Sequence, residues 1–153
     1  MMYNWFECKV RYDKMLDTGV QKTVTEPYLV DALSFTEAEA KIIKEMEPFM
    51  SGEFTVSDIK RVKYTDTFFN DRGDRYYKAK LYYITLDEKS GAEKKTAVNV
   101  LVQASDLKEA VEIIETEMNK TMIDYVIASV VETELMDVFP YTGEEVIKEK
   151  EEE

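Results

Sequence analysis

The chain has 153 residues, 44% of them hydrophobic and 34% charged, with a formal net charge of -12. That is enough apolar material for a packed core, which excludes wholesale disorder, and the negative field opposes non-specific binding to nucleic acid. With no histidine and one cysteine, the chain lacks the commonest general base and metal ligand and cannot close an intramolecular disulfide.

A reducing, cytoplasmic setting is expected from the lone Cys8. The opening residues show no basic segment followed by an apolar run, so no signal peptide is expected. No stretch is apolar enough for a membrane span.

In chain order, Phe6, Cys8, Val10 and Tyr12 alternate with Glu7, Lys9 and Arg11, which predicts a half-buried strand. Asp17-Thr18-Gly19 supplies a turn. A second strand follows with Tyr28, Val30 and Ala32 on one face. Pro27 lies inside it and lacks a ladder donor, which predicts a sheet edge or a bulge there. Ser34-Phe35-Thr36-Glu37 has the pattern of a capping box. The helix it opens carries Ala38, Ile42 and Met46 on one stripe, with Ile43 beside them, and Pro48 and Gly52 mark its end. A third strand is predicted from about Phe54 to Tyr64. Its alternation slips near Ser57-Asp58, as at a β-bulge.

Shifting the register by 71 residues reproduces this series. Phe6, Cys8, Val10 and Tyr12 fall on Tyr77, Ala79, Leu81 and Tyr83. The next loop, Asp87 to Gly91, is one residue longer, so Tyr28, Val30 and Ala32 fall on Val100, Val102 and Ala104. With one residue lost before the helix, Ser34 falls on Ser105 as a second N-cap, and Ile42-Ile43 on Ile113-Ile114. Phe54 and Val56 then fall on Tyr125 and Ile127, and Asp66-Thr67-Phe68 on Asp137-Val138-Phe139. The expected fold is α+β: an internal duplication of a β-β-α-β unit, mainly antiparallel, with one helix per unit, packed around a pseudo-two-fold axis. The expected divisions are a first unit at 1-69, a linker at 70-75, a second unit at 76-140 and an acidic tail at 141-153.

Two clusters combine cations with aromatics: Lys60, Arg61 and Lys63 beside Tyr64, and Arg75, Lys78 and Lys80 interleaved with Tyr76 and Tyr82. From these, Lys60, Arg61, Lys63, Tyr76, Lys78, Lys80 and Tyr82, together with Trp5, are the candidate binding residues. On an open sheet face such residues stack on the bases of single-stranded nucleic acid. The competing reading, favoured by the negative field, is cross-strand pairing on a solvated or inter-unit face. Asp66 with Asp137, and Asp17 with Asp87, are repeat-related carboxylates that a duplicated fold can bring together. Each also suits a turn or strand end. Arg72-Gly73-Asp74 spells an adhesion tripeptide but reads as a linker turn. No catalytic residue, metal site or cofactor motif is identified, and Cys8 reads as a small core residue.

The segments Trp5-Phe6-Glu7-Cys8-Lys9-Val10 and Glu26-Pro27-Tyr28-Leu29-Val30-Asp31-Ala32-Leu33-Ser34-Phe35-Thr36-Glu37-Ala38-Glu39 resemble an uncharacterised domain-of-unknown-function family of Bacteroidetes bacteria and their phages. The resemblance runs to about Phe139. It implies a cytosolic bacterial or phage origin and carries no activity and no site residue.

The expected role is a non-catalytic protein-binding or regulatory module, with a protein partner, an edge strand open to augmentation, and homo-oligomerisation as a further possibility. Charge mimicry of nucleic acid is one form such a role takes. The alternatives are a single-stranded nucleic-acid or nucleotide binder and, with least support, an enzyme relying on carboxylates or lysine.

Overall fold

A computed structural model describes residues 4–141. The acidic tail expected over 141-153 lies, beyond Tyr141, outside the described residues. The described chain is α+β, with two mainly antiparallel four-stranded sheets and two α-helices.

In the first sheet, β1 (Asn4–Met15) and β2 (Gln21–Ala32) form a long hairpin, paired from Asn4 opposite Ala32 to Met15 opposite Gln21. Its turn places Gly19 at φ +84°, where a side chain would be strained. Helix α1 (Phe35–Met46) starts where Ser34 Oγ accepts from the Glu37 backbone N–H at 3.2 Å. Ala38, Ile42 and Met46 recur every four residues, so one face of α1 buries them against Phe6, Cys8, Val10 and Val30.

A short 3-10 turn, Glu47–Phe49, leads to β3 (Phe54–Val62), antiparallel to β1. The register shifts between Lys9 and Val10, which face Asp58 and Val56. Ser57 is therefore the extra residue of a bulge, at the place where the alternation slips, and its hydroxyl donates to the Lys9 carbonyl at 3.3 Å. A three-residue strand, β8 (Asp137–Phe139), adds in parallel to β2, giving the order β3-β1-β2-β8.

In the second sheet the edge β7 (Asp124–Glu132) neighbours β5 (Arg75–Leu86), then β6 (Glu93–Ala104), with β4 (Asp66–Phe68) at the other edge. β5 and β6 form its hairpin, followed by α2 (Leu107–Asn119) and then β7. β7 pairs with β5 through a bulge between Lys80 and Leu81, with Ala128 as the extra residue. The short β4 (Asp66–Phe68) pairs in parallel with β6.

The cap of α2 corrects the expectation from the sequence. The N-cap is Asp106, whose carboxylate accepts from the Glu109 N–H at 2.8 Å; Ser105 instead donates its own N–H to Glu109 at 2.9 Å. An aspartate caps as well as a serine. Starting at Asp106 turns Ala110, Ile114 and Met118 toward the sheet. Ile114 is therefore the position that matches Ile42, and the compensating one-residue loss falls after the helix. Ile43 and Ile113 are only half-buried.

Pro27 pairs with Lys9, and its carbonyl accepts from the Met136 N–H at 2.9 Å on the side away from β1. A strand residue directs its N and O to the same side, so the missing N–H also faces outward. β8 pairs only from Tyr28 onward, which leaves Pro27 at an edge position of β2.

The chain forms two compact units that are not consecutive stretches. Among the described residues, one comprises 4–62 and 135–141; the other is Lys63–Glu134. The short strands account for this: β4 follows β3 in the chain but joins β6, and β8 follows β7 but joins β2. Each unit has its own helix-facing core. No helix among the described residues is long and apolar enough to cross a membrane.

Candidate functional site

The second sheet presents its distinctive surface on the face turned away from α2. Odd-numbered residues of β5 (Tyr77, Ala79, Leu81) pack against the helix. Tyr76, Lys78, Lys80 and Tyr82 therefore face the other way. In register beside them stand Gln103, Leu101, Asn99 and Ala97 on β6, and Val131, Ser129 and Val126 on β7.

Tyr76 is buried at 7% exposure, and Leu101 is buried on the same face. Lys78 and Lys80 are exposed, Tyr82 is half-buried, and the Lys80 ammonium lies 5.3 Å from the Tyr82 ring centre. Val126 and Val131 remain 47% and 60% exposed. No acidic residue stands opposite Lys78 or Lys80; Asp124 and Glu93 enter only further along, beside Ile84 and Leu86. Asp106, Glu109, Glu112, Glu115 and Glu117 belong to α2 or its cap, across the sheet. This face is locally basic in a chain of net charge -12.

The first sheet differs at the matching positions. Glu7 stands opposite Lys60 and Lys9 opposite Asp58, so its charges alternate in sign across strands, and half-buried Trp5 faces Asp31 and Val62. The cluster of Lys60, Arg61 and Lys63 is split. Lys60 lies on the face with Glu7, whereas Arg61 lies opposite Phe6 on the helix side. The Arg61 guanidinium sits 5.5 Å from the Phe6 ring centre and 5.7 Å from that of Phe35, two rings in edge contact at 4.9 Å. Lys63 is exposed beyond the end of β3. Lys78, Lys80 and Tyr82 therefore share one surface, Lys60 and Trp5 belong to the first sheet's outer face, and Arg61 belongs to neither.

The repeat register places a strand near Tyr125 and Ile127 but does not single out the uncharged stretch that makes β7 distinctive. From Tyr125 to Val131 it carries no charge, whereas β3 places Asp58, Lys60 and Arg61 within its span. The signal was present in the sequence as seven consecutive uncharged residues, 125–131.

Residues 4–141 match the family of a domain of unknown function, DUF4494. The chain belongs to the DUF4494 family. No curated protein matches it. The DUF4494 match spans every strand and helix described above, so both sheets belong to the shared domain.

Other chemistry-bearing residues in this DUF4494 chain have local structural roles. Asp66 and Asp137 each accept from the backbone N–H of the next residue, at 2.9 and 2.8 Å, and they start strands in different sheets. Asp87 accepts from the Lys89 N–H in its turn, and that bond, with the Ser90 hydroxyl, holds its carboxyl below the usual range. A shallow groove between α1 and β3 is lined by Glu39, Glu47 and Glu53 with Ile43 and Phe54. Among the described residues no group of three or more potential metal ligands gathers.

Cys8 is fully buried, and burial, aided by the carboxylates of Glu7 and Asp58, pushes its thiol up to about 12. Burial and then Glu26 push the Tyr28 phenol up to about 12 as well. Both groups hold their protons more tightly in the folded chain than at their ordinary values of 9.0 and 10.0. The stability they lend is fully present below those values and is lost as pH rises to about 12. Urea midpoints are expected to stay level through neutral pH and to fall from pH 9 upward. Cys8→Ala should remove the part of the fall that begins at pH 9; an unchanged slope in that variant would show that Cys8 does not contribute.

Proposed function

We propose that this chain is a non-catalytic protein-binding or regulatory module that takes an extended segment of its partner onto the outer edge of β7. The observation that carries this reading is an edge strand with an uncharged stretch, blunted only by the bulge at Ala128 and the charges at its ends. β7 ends its sheet, carries no charge from Tyr125 to Val131, and leaves Val126 and Val131 exposed. Edge strands are ordinarily blunted by charges, proline, bulges or cover; the runs of β7 on either side of its bulge have no charge, proline or in-sheet neighbour on their outer side among the described residues and can template β-augmentation.

The test is selection from a library of random ten-residue peptides on the immobilised chain, repeated on a Val126→Lys/Val131→Lys variant. Peptides retained by the native chain and lost on the variant are expected. An empty selection, or peptides indifferent to the variant, would overturn the reading.

The second reading, single-stranded nucleic-acid or nucleotide binding, draws on the local basic face of Lys78 and Lys80 beside Tyr82. It ranks lower because Tyr76 is buried, which removes one stacking ring, and because the chain as a whole is acidic.

We further infer that the two halves, 1-69 and 76-140, descend from one duplicated β-β-α-β unit. Supporting this are the matching strand orders, bulges at Lys9/Val10 and Lys80/Leu81 that lie 71 positions apart, and equivalent caps at Ser34 and Asp106. A cytosolic setting in a Bacteroidetes bacterium or phage belongs to the same proposal.

A further inference from the structure

Resting on the edge reading above, we propose that the segment received by β7 is acidic, with its carboxylates directed to Lys78 and Lys80. The argument begins with a difference between the two sheets. In the first, the central strand's Glu7 and Lys9 find opposite charges on the neighbouring edge strand, in Lys60 and Asp58. In the second, the matching central-strand residues are both lysines, and the edge strand offers Val131 and Ser129 opposite them. The second sheet therefore leaves two exposed ammonium groups with no acidic residue in register.

An added strand would lie one spacing beyond β7, about 10 Å from β5. A lysine side chain crossing the short Ser129 or Val131, met by a glutamate reaching back, spans that gap. The carboxylates of α2 lie across the sheet, and at physiological salt their field is damped over about 8 Å. On the face of the edge away from α2, the charges in register with its uncharged stretch are the two ammonium groups, with Asp124 at one end of the strand.

A second copy of the chain fits the edge less well. Antiparallel pairing of β7 about its centre at Ala128 would set Asp124 against Glu132. The bulge at Ala128 also limits straight pairing to short runs on either side, which suits a short extended segment.

The test uses three eight-residue peptides of identical alternating Val/Thr pattern, with the intervening positions glutamate, glutamine or lysine, measured by fluorescence anisotropy on the full chain. The glutamate peptide is expected to bind about three- to tenfold tighter than the glutamine peptide at low salt, with the margin shrinking as salt rises. Lys78→Glu/Lys80→Glu should reverse the preference toward the lysine peptide, with its circular dichroism spectrum unchanged. Equal binding of glutamate and glutamine peptides would overturn the acidic inference and leave the edge reading standing. No binding by any peptide would overturn both. Tight binding of single-stranded DNA or RNA, lost in the same variant while peptides fail, would assign the face to nucleic acid. A concentration-dependent dimer abolished by Val126→Lys/Val131→Lys would assign the edge to a second copy and also overturn the proposal.

Discussion

Ile114→Ala is expected to lower stability by about 2–5 kcal/mol, and Ile42→Ala by a similar amount. Both side chains are fully buried. Ile114 is the middle of the stripe Ala110, Ile114 and Met118, set against Ala79, Leu81, Val100 and Val102. Removing three of its carbon atoms sacrifices the transfer energy and leaves a cavity, because a helix on a sheet collapses only in part. Ile113 and Ile43 are half-buried, so their truncation should cost clearly less. Denaturant unfolding of the four single variants checks the assignment. A larger loss for Ile113→Ala than for Ile114→Ala would mean that the helix is rotated. Trp5, the one tryptophan, belongs to the first compact unit. Its fluorescence should follow Ile42→Ala, and comparison with circular dichroism in Ile114→Ala reports whether the two units melt together.

The second large effect is expected at Gly73. An added Cβ would lie 2.5 Å from the Ala104 Cα, against backbone that has no side-chain freedom to yield. The surrounding loop is tied down. The Gly73 N–H donates to the Asn70 carbonyl at 2.9 Å, the Gln103 amide donates to the Gly73 carbonyl at 3.0 Å, and the Asn70 amide donates to Glu109 at 3.0 Å. Gly73→Ala must open these bonds or displace β6, at a cost of about 1–3 kcal/mol or more. Gly52→Ala is the control. Nothing lies within 4 Å of its added Cβ, and a small gain in stability is expected there. Equal midpoints for the two variants would contradict the close approach. The same geometry shows that Arg72-Gly73-Asp74 has its central residue packed against a strand, unlike a projecting adhesion loop.

Much of this architecture was legible in the sequence because its signals are local. Alternation in β1 and β5, the Ser34 cap and the slip at Ser57 each depend on a few neighbouring residues. The second cap was misplaced because Ser105 and Asp106 are adjacent and equally able to cap; the burial of Ile114 decides between them. The partners of β4 and β8 were not legible. Three residues carry no pattern that identifies the sheet they will join, and their pairing is settled by tertiary contacts. At the candidate site, the alternation of β5 correctly grouped Lys78, Lys80 and Tyr82. It could not show that Tyr76 is buried, nor that the bulge in β3 turns Arg61 to the helix side while Lys60 stays opposite Glu7.

The two short parallel strands also bear on synthesis and on the handling of fragments. Tyr28 awaits a partner at Asp137, roughly a hundred residues further along, a long-range pairing of the kind that slows folding. The unit that begins first on the ribosome is thus completed last, after the contiguous stretch Lys63–Glu134 has emerged and can already close its own sheet. No single cut in the loop between β4 and β5 yields two intact sheets: a piece ending at residue 69 carries β4 away from β6 and leaves β2 without β8.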